Sequence, residues 1–184
     1  MLDVAVAYNR YRFLGDEFLT WLWFQLESDD HQQLFRSFDP DLVALEIGNR
    51  IVLENRRNDA IERITIKGEE ANLAEGHLAL QKGALVTEIN LNFRSADYLW
   101  QFSLKGESLN LSNFKTPKIA LPESPEDLEG FVLEKAYLYD KILQFIEKTY
   151  IYFIKTRVSD QWKTQIVPSI RTWMASTQPV SRSA

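Results

Sequence analysis

This chain of 184 residues contains no cysteine and only two histidines. The absence of cysteine excludes disulfide bonds, thiolate nucleophiles and cysteine-based zinc sites. Neither His31 nor His77 belongs to a zinc-binding spacing such as HExxH, so we predict no metal site. The chain also lacks the glycine-rich phosphate loops and the G-x-S-x-G turn of hydrolases. We therefore expect no catalytic residues, no cofactor and no small-molecule substrate, and we expect that the protein is not an enzyme.

Long hydrophobic runs are missing as well. No stretch approaches the roughly 20 consecutive apolar residues that a membrane-spanning helix needs. The first residues, MLDVAVAYNRYRFLG, lack the basic start and apolar core of a secretory signal. Hydrophobic residues nevertheless make up 45% of the chain and aromatic residues 12%, which is enough for a folded core. These features predict a folded protein without a membrane span, in the cytoplasm.

Positive charge is scarce except near the C-terminus. Residues 135–184 carry eight Lys and Arg against three Asp and Glu, whereas residues 1–134 carry thirteen against twenty-three. The formal net charge of −5 is thus the difference between an acidic body and a basic C-terminal part. This distribution excludes a uniformly basic nucleic-acid binder, but it leaves open a basic arm on an acidic body.

The clearest local pattern is the alternation of apolar and polar residues between positions 84 and 104. In the first predicted strand one face carries Leu85, Thr87, Ile89, Leu91 and Phe93, and the other carries Val86, Glu88, Asn90 and Asn92. A second strand starts at Tyr98, and a third contains Leu109, Leu111 and Phe114. The pattern predicts a three-stranded antiparallel meander with one apolar and one polar face. A short helix over Ala71–Gln81, closed by Gly83, precedes it.

Upstream of the meander, apolar residues at helical spacing predict a helix over Phe13–Ser28. Because this helix is apolar on more than one side, we expect a core helix; the alternative is an aromatic platform for a ligand or a subunit. The polar stretch Ser28–Asp41 predicts a loop. Gly48-Asn49, between two short apolar stretches, predicts the tight turn of a β-hairpin, and Ile61, Ile64 and Ile66 mark a further strand.

A long helix is predicted in the C-terminal part. Thr116–Pro125 contains three prolines and indicates a linker. Ser124-Pro125-Glu126-Asp127 is a typical helix start, with a capping serine, a proline at the first position and acids in the first turn. The helix could continue to Val158, about 33 residues or ~50 Å. A second helix, kinked at Pro168, is predicted from Ser159.

One side of this long helix is predicted to be apolar. The residues at helical spacing are Leu138, Ile142, Phe145, Ile146, Tyr150 and Phe153. Such a stripe must be buried, either on the sheet of the same chain or against a second copy. Because the rod is longer than a small domain, the stripe favours a homodimer.

A row of cations lies on the same predicted helix. Lys141, Lys148 and Lys155 are seven residues apart and therefore lie on nearly one face, and Arg157 and Lys163 follow. Cations along a rigid rod can contact successive DNA phosphates without reading bases. The alternative interpretation is an ordinary solvated helix face. We predict these five residues as candidate DNA contacts.

The segment from residue 68 to residue 117 resembles the C-terminal part of RdgC, a family of bacterial recombination-associated proteins. The shared order begins with Glu69-Glu70 at a short helix that carries His77 and Leu80 and ends at Lys82-Gly83. It continues with Val86-Thr87 at the next strand and with Leu109, Phe114-Lys115 and Pro117 at the end. The stretch Glu17-Phe18-Leu19-Thr20 with Trp23 is similar to a helix that precedes this part in RdgC-like proteins.

The resemblance implies a nucleoid-associated protein. RdgC-like proteins form ring-shaped dimers that encircle duplex DNA with little sequence preference and restrain RecA-mediated recombination. The resemblance therefore implies double-stranded DNA and a second copy of the chain as partners of this protein. Residues 1–117 would form the RdgC-like α+β domain, and residues 118–184 a C-terminal helical arm.

Two other functions stay open from the sequence. The apolar Trp21-Leu22-Trp23-Phe24 segment and the acidic body are compatible with a non-enzymatic protein interaction module. The acidic clusters Asp29-Asp30, Glu69-Glu70 and Glu123–Glu129 leave a metal-dependent nuclease as a third hypothesis, although capping and solvation explain such clusters.

Overall fold

The computed structural model of the protein describes residues 13–28, 31–57, 60–67 and 73–175. Its centre is one five-stranded antiparallel sheet with the strand order β2-β1-β3-β4-β5. The strands are β1 (Leu42–Arg57), β2 (Ala60–Lys67), β3 (Leu85–Ser95), β4 (Tyr98–Lys105) and β5 (Leu111–Lys115).

Five α-helices accompany the sheet within the described residues: α1 (Phe13–Glu27), α2 (His31–Arg36), α3 (Leu73–Gln81), α4 (Leu128–Arg157) and α5 (Val167–Ala175). A 3₁₀ turn over Pro125–Asp127 leads into α4, and a π-helical turn over Trp162–Ile166 precedes α5. The α+β class predicted from the sequence is confirmed. Among the described helices, none has the length and apolarity to cross a membrane.

The predicted three-stranded meander corresponds to β3, β4 and β5. Ile89, Leu91 and Phe93 face the core as the alternation predicts. At the start of β3 the predicted faces are wrong, because Val86 rather than Leu85 is fully buried. The pairing passes from Val52 with Glu88 to Leu53 with Val86, so Thr87 is an extra residue that reverses the alternation.

A hydroxyl group of α1 supports this bulge. The backbone N–H of Val86 donates to Thr20 Oγ1 at 3.0 Å, and the Thr20 hydroxyl donates to the Asp16 carbonyl at 2.8 Å. A buried backbone N–H group at a bulge needs such an acceptor when it forms no hydrogen bond to the neighbouring strand. The bulge thus depends on a side chain 66 residues away.

The hairpin predicted at Gly48-Asn49 is wrong, because both residues lie inside the single long strand β1. The pairing moves from Ile47 with Leu91 to Ile51 with Ile89, so β1 bulges here. Asn90 of β3 fills the bulge, and its Oδ1 accepts a hydrogen bond from the Asn49 N–H at 3.2 Å. A Cβ atom on Gly48 would lie 2.0 Å from that oxygen, so the glycine makes room for a side chain rather than for a turn.

The predicted loop over Ser28–Asp41 is also partly wrong, since it contains the short helix α2. Phe35 is its fully buried residue, in ring contact with Phe38 and with Phe145 of α4. The helix contains only two apolar residues, Leu34 and Phe35, and two adjacent residues are too weak a periodic signal to predict a helix.

The predicted core helix Phe13–Ser28 is α1, which packs on β3. Its first turn touches the turn between β4 and β5, where a Cβ atom on Gly15 would lie 1.7 Å from the Gly106 carbonyl oxygen. Only a glycine allows two backbones to approach so closely.

The long helix begins as predicted. Ser124 caps it, and the Asp127 carboxylate accepts hydrogen bonds from the Ser124 N–H at 3.1 Å and from its hydroxyl at 2.9 Å. Of the predicted apolar stripe, Tyr150 is half-buried and the other five residues are buried in the same core cluster as the sheet residues. The chain's own body therefore covers this stripe, and it does not require a second copy.

The last described segment is helical with a local widening. The π-helical turn lies just before Pro168, whose missing N–H prevents a regular α-helical bond at that position. Trp162 is buried, and Trp173 of α5 is half-buried on the body. The division into residues 1–117 and 118–184 stays a prediction.

Candidate nucleic-acid interface

Lys141, the first residue of the predicted cation row, lies in an ion pair. Its Nζ is 3.2 Å from Asp39 Oδ2, and little of either side chain is exposed. The same carboxylate accepts hydrogen bonds from the Ser95 hydroxyl at 2.8 Å and from the Asp41 N–H at 3.0 Å. Lys141 thus tethers α4 to the segment before β1, and its charge is not free for a phosphate.

Arg157 is paired in the same way at the other end of α4. Its Nε donates to Glu17 Oε2 of α1 at 2.7 Å. The guanidinium also lies over the Trp162 ring, 5.3 Å from the ring centroid. This residue fixes the end of α4 to α1, so its charge is already matched by a carboxylate.

The other three candidate cations are exposed. Lys148 donates to the Phe38 carbonyl at 3.3 Å, which leaves two of its three N–H groups available. Among the described residues, neither Lys148, Lys155 nor Lys163 forms an ion pair with a carboxylate. The structure therefore divides the five predicted residues into two structural tethers and three exposed cations.

A small cavity lies beside the first part of this row. It has a volume of about 180 Å³, below the ~300 Å³ at which ligand pockets usually begin. Asp39 and Asp140 line it together with Lys141, Lys148 and Tyr137. Because both acidic and basic side chains line the cavity, it does not present the purely positive surface that an isolated phosphate prefers.

The aromatic segment of α1 that contains Trp21 and Trp23 is buried and does not form an exposed surface. Trp21 is 1% exposed, Leu22 3% and Trp23 0%. The Trp21 ring packs on Tyr152 and Phe153, and the Trp23 ring packs on His77. Burial removes the sequence-based argument that this segment docks a protein partner, and it confirms the prediction of a core helix.

His77 belongs to a cluster built around Glu27, at the end of α1. Glu27 Oε2 lies 3.1 Å from His77 Nε2 and accepts a hydrogen bond from Trp173 Nε1 at 2.7 Å. Glu27 Oε1 accepts a hydrogen bond from Trp23 Nε1 at 2.6 Å. The carboxylate joins α1, α3 and α5, so His77 has a structural role here, and the cluster holds the C-terminal helix on the body.

Three metal-binding side chains of the His, Asp and Glu types do not converge anywhere in the part of the chain that the structure describes. Two of the acidic clusters considered above, Asp29-Asp30 and Glu69-Glu70, lie outside the described residues.

Sequence reasoning missed the second apolar side of α4. Eight of the sixteen exposed large hydrophobic residues of the described chain belong to this helix. They are Leu128, Val132, Leu133, Tyr137, Tyr139, Leu143, Ile151 and Tyr152. The signal was present in the sequence, because the helix carries apolar residues over more of its circumference than one buried stripe uses.

No protein-family model matches this chain, and no curated protein matches it. The resemblance to RdgC therefore depends only on the residues quoted for it and stays a prediction.

Proposed function

We propose that this protein is a non-enzymatic, RdgC-like protein that binds duplex DNA without sequence specificity. The observation that supports the proposal is the exposure of Lys148, Lys155 and Lys163 without carboxylate partners among the described residues. Lys148 and Lys155 are seven residues apart on one rigid helix, so their ammonium groups are about 10 Å apart along its axis. Phosphates of one DNA strand follow one another about every 3.4 Å along the duplex axis, so two lysines with this spacing can contact two phosphates of the same strand.

The acidic body limits the strength of this binding. With a net charge of −5 the whole chain is repelled by DNA, so only a face that turns the cations toward the duplex can bind. A second copy of the chain is part of the proposal, because two linked cation rows bind more tightly than one. The resemblance extends the proposal to the nucleoid and to restraint of RecA-mediated recombination, since a protein on the duplex obstructs strand exchange.

Salt dependence tests the proposal directly. Binding to a labelled random-sequence duplex is measured by fluorescence anisotropy at increasing salt concentrations. Three phosphate contacts per chain predict a slope of log K against log salt of about −3 for one chain and about −5 for a linked pair of chains. The variant Lys148→Gln/Lys155→Gln/Lys163→Gln is expected to lose binding at low salt.

The control removes the same number of charges elsewhere. Lys105→Gln/Lys115→Gln/Lys118→Gln changes three exposed lysines at or near the far edge of the sheet. It is expected to retain more affinity than the α4 variant, because the position and not only the sum of the charges matters. If both variants weaken binding equally, or if the folded wild-type protein does not bind at low salt, the proposal is wrong.

A protein interaction module is the second candidate function. Burial of the α1 tryptophans removes its original argument, but the exposed apolar side of α4 supplies a new one. Pull-down from a lysate would not define such a partner.

A further inference from the structure

Trp173 of α5 lies in a slot between α1 and α3, and three aromatic rings form the walls of this slot. The Trp23 ring centroid lies 5.3 Å from the Trp173 centroid at an interplanar angle of 86°. The Phe24 ring lies at 5.6 Å and 66°, and the His77 ring at 4.7 Å and 70°. Aromatic pairs favour such edge-to-face arrangements. The slot therefore fits a flat aromatic group.

A carboxylate supplies the polar contact of the slot. Trp173 Nε1 donates a hydrogen bond to Glu27 Oε2 at 2.7 Å. Among protein side chains, only an indole combines a plate of two fused rings with a single N–H that donates and accepts nothing. The set of side chains that surrounds Trp173 thus matches an indole in shape and in bonding. We call this set the indole slot: Trp23, Phe24, Glu27 and His77.

The walls of the indole slot are fixed by α1 and α3 alone. Trp23 and Glu27 are four residues apart and so lie on one face of α1, and Trp23 Nε1 donates to Glu27 Oε1 at 2.6 Å. A Cβ atom on Gly76 of α3 would lie 2.4 Å from the Trp23 ring, so this glycine lets the ring lie directly against the helix backbone. The slot is therefore built before α5 is added.

The carboxylate also keeps partners when Trp173 is removed. Glu27 Oε1 retains the Trp23 N–H, and Glu27 Oε2 retains His77 Nε2 at 3.1 Å. A partly buried carboxylate that lost every partner would oppose opening strongly. Because two partners remain, departure of Trp173 leaves a satisfied carboxylate that can accept a hydrogen bond from another donor.

The helix that carries Trp173 is the least buried one on the body. α5 has nine residues, and none of them is buried. An isolated helix of this length is marginal in water, so α5 depends on its contacts with the body. Besides Trp173, these contacts are the Gln81 amide, which donates to the Met174 carbonyl, and the partly buried Ile170.

A hinge precedes α5. The π-helical turn over Trp162–Ile166 interrupts the regular helical bonds, and Pro168 lacks an N–H group. Trp162 is buried and holds the chain on the body before this turn. The segment after the turn is thus held mainly by Trp173, at the other end of α5.

We propose that the indole slot is a binding site for small indoles and that α5 is a lid, which Trp173 holds closed as an internal ligand. A free indole that donates its N–H to Glu27 and fits between the three rings competes with Trp173. Because this ligand binds only the open state, it raises the open fraction as its concentration increases. Its apparent affinity is lower than its intrinsic affinity, since the closed state has to open first.

Removal of the internal ligand tests the site. Isothermal titration calorimetry with indole is carried out on the full chain and on its Trp173→Ala variant. The variant is expected to bind indole about tenfold more tightly than the wild type or better, because no side chain competes for the slot. The control Arg171→Ala changes an exposed residue of α5 and is expected to bind indole as the wild type does.

A matched ligand tests the role of Glu27. The compound 1-methylindole has the same rings but no N–H group, so it places a methyl group against the carboxylate. It is expected to bind Trp173→Ala about tenfold more weakly than indole does, or worse. Far-ultraviolet circular dichroism should show both variants folded.

The lid is tested in the wild-type protein, which makes this arm independent of how any variant folds. Hydrogen exchange is measured with and without indole. Indole is expected to increase deuterium uptake over residues 167–175 and to leave residues 138–157 unchanged, whereas 1-methylindole at the same concentration is expected to have little effect.

Three results would overturn the inference. A folded Trp173→Ala variant that does not bind indole lacks the site. Equal affinities for indole and 1-methylindole would show an apolar cavity in which Glu27 has no role. Unchanged exchange over residues 167–175 in wild-type protein at a saturating indole concentration would show that α5 is not a lid. The inference does not rest on DNA binding, and neither outcome there changes it.

Discussion

The two parts of α4, Leu128–Tyr137 and Leu138–Arg157, both carry apolar residues at helical spacing, but their surroundings differ. Leu128–Tyr137 contains no buried residue, whereas Leu138–Arg157 contains all seven buried residues of the helix. The later part lies on the sheet and α1, and Trp100 Nε1 donates to the Leu138 carbonyl at 3.0 Å where this contact begins. Apolar periodicity in a sequence therefore indicates that a face must be covered, but not what covers it.

The comparison predicts that equal truncations in the two parts have unequal costs. Phe153 is fully buried and contacts Phe18, Trp21 and Trp162. Phe153→Ala is expected to lower the free energy of unfolding by about 3–5 kcal/mol, since it leaves a cavity among rings. Leu133→Ala, in the exposed part, is expected to change it by less than about 0.5 kcal/mol. Urea denaturation of the two variants measures both changes in the free energy of unfolding. Similar changes would mean that the first part of α4 is also packed.

Glycines sharpen the comparison at the level of the backbone. A Cβ atom on Gly15 would collide with the Gly106 carbonyl, whereas one on Gly130 would meet nothing within 4 Å. Gly15→Ala is expected to destabilise the fold by about 1–3 kcal/mol. Gly130→Ala is expected to stabilise it by about 0.5–1 kcal/mol, because alanine loses less entropy than glycine in an exposed helix. Thermal unfolding of both variants should give shifts of opposite sign, and shifts of the same sign would contradict the account.

The smallest expected effect concerns Tyr150, in the packed part of α4. Burial raises the pKa of Tyr150 above its ordinary value of 10.0, with the ring edge of Phe18 against it. The folded state therefore holds this proton when the unfolded chain has begun to lose it. The resulting stability is fully present below about pH 10 and is lost as the pH rises through the folded pKa.

Tyr150→Phe removes the loss of folding stability that ionisation of Tyr150 causes at alkaline pH. The free energy of unfolding of the variant is expected to fall less steeply than that of the wild type above about pH 10. Tyr137→Phe, in the exposed part of the helix, controls for the removal of a hydroxyl group. Urea denaturation at several alkaline pH values gives the slopes, and equal slopes for Tyr150→Phe and the wild type would contradict burial of this residue.

Local patterns in the sequence predict much of the fold. The meander, α1 and α4 follow from alternation, from helical spacing and from the Ser124-Pro125 start, and each is confirmed. The bulges at Gly48 and Thr87 could not be predicted, because they depend on Asn90 and Thr20, which are distant in sequence. A glycine next to an asparagine is typical of a turn, and only the partner strand shows that it accommodates a side chain instead.

The candidate site was harder to predict than the fold. Seven-residue spacing identifies cations on one helix face, but it cannot show that Asp39 pairs with Lys141 or that Glu17 pairs with Arg157. Those carboxylates come from other elements, so the number of available cations is a tertiary property. The DNA-binding function stays a prediction, now restricted to Lys148, Lys155 and Lys163.

Hydrogen exchange along α4 tests the central claim, that Leu138–Arg157 packs on the body of the protein whereas Leu128–Tyr137 contributes no buried residue. The account predicts stronger amide protection over residues 138–157 than over residues 128–137. Equal protection of the two segments would contradict it.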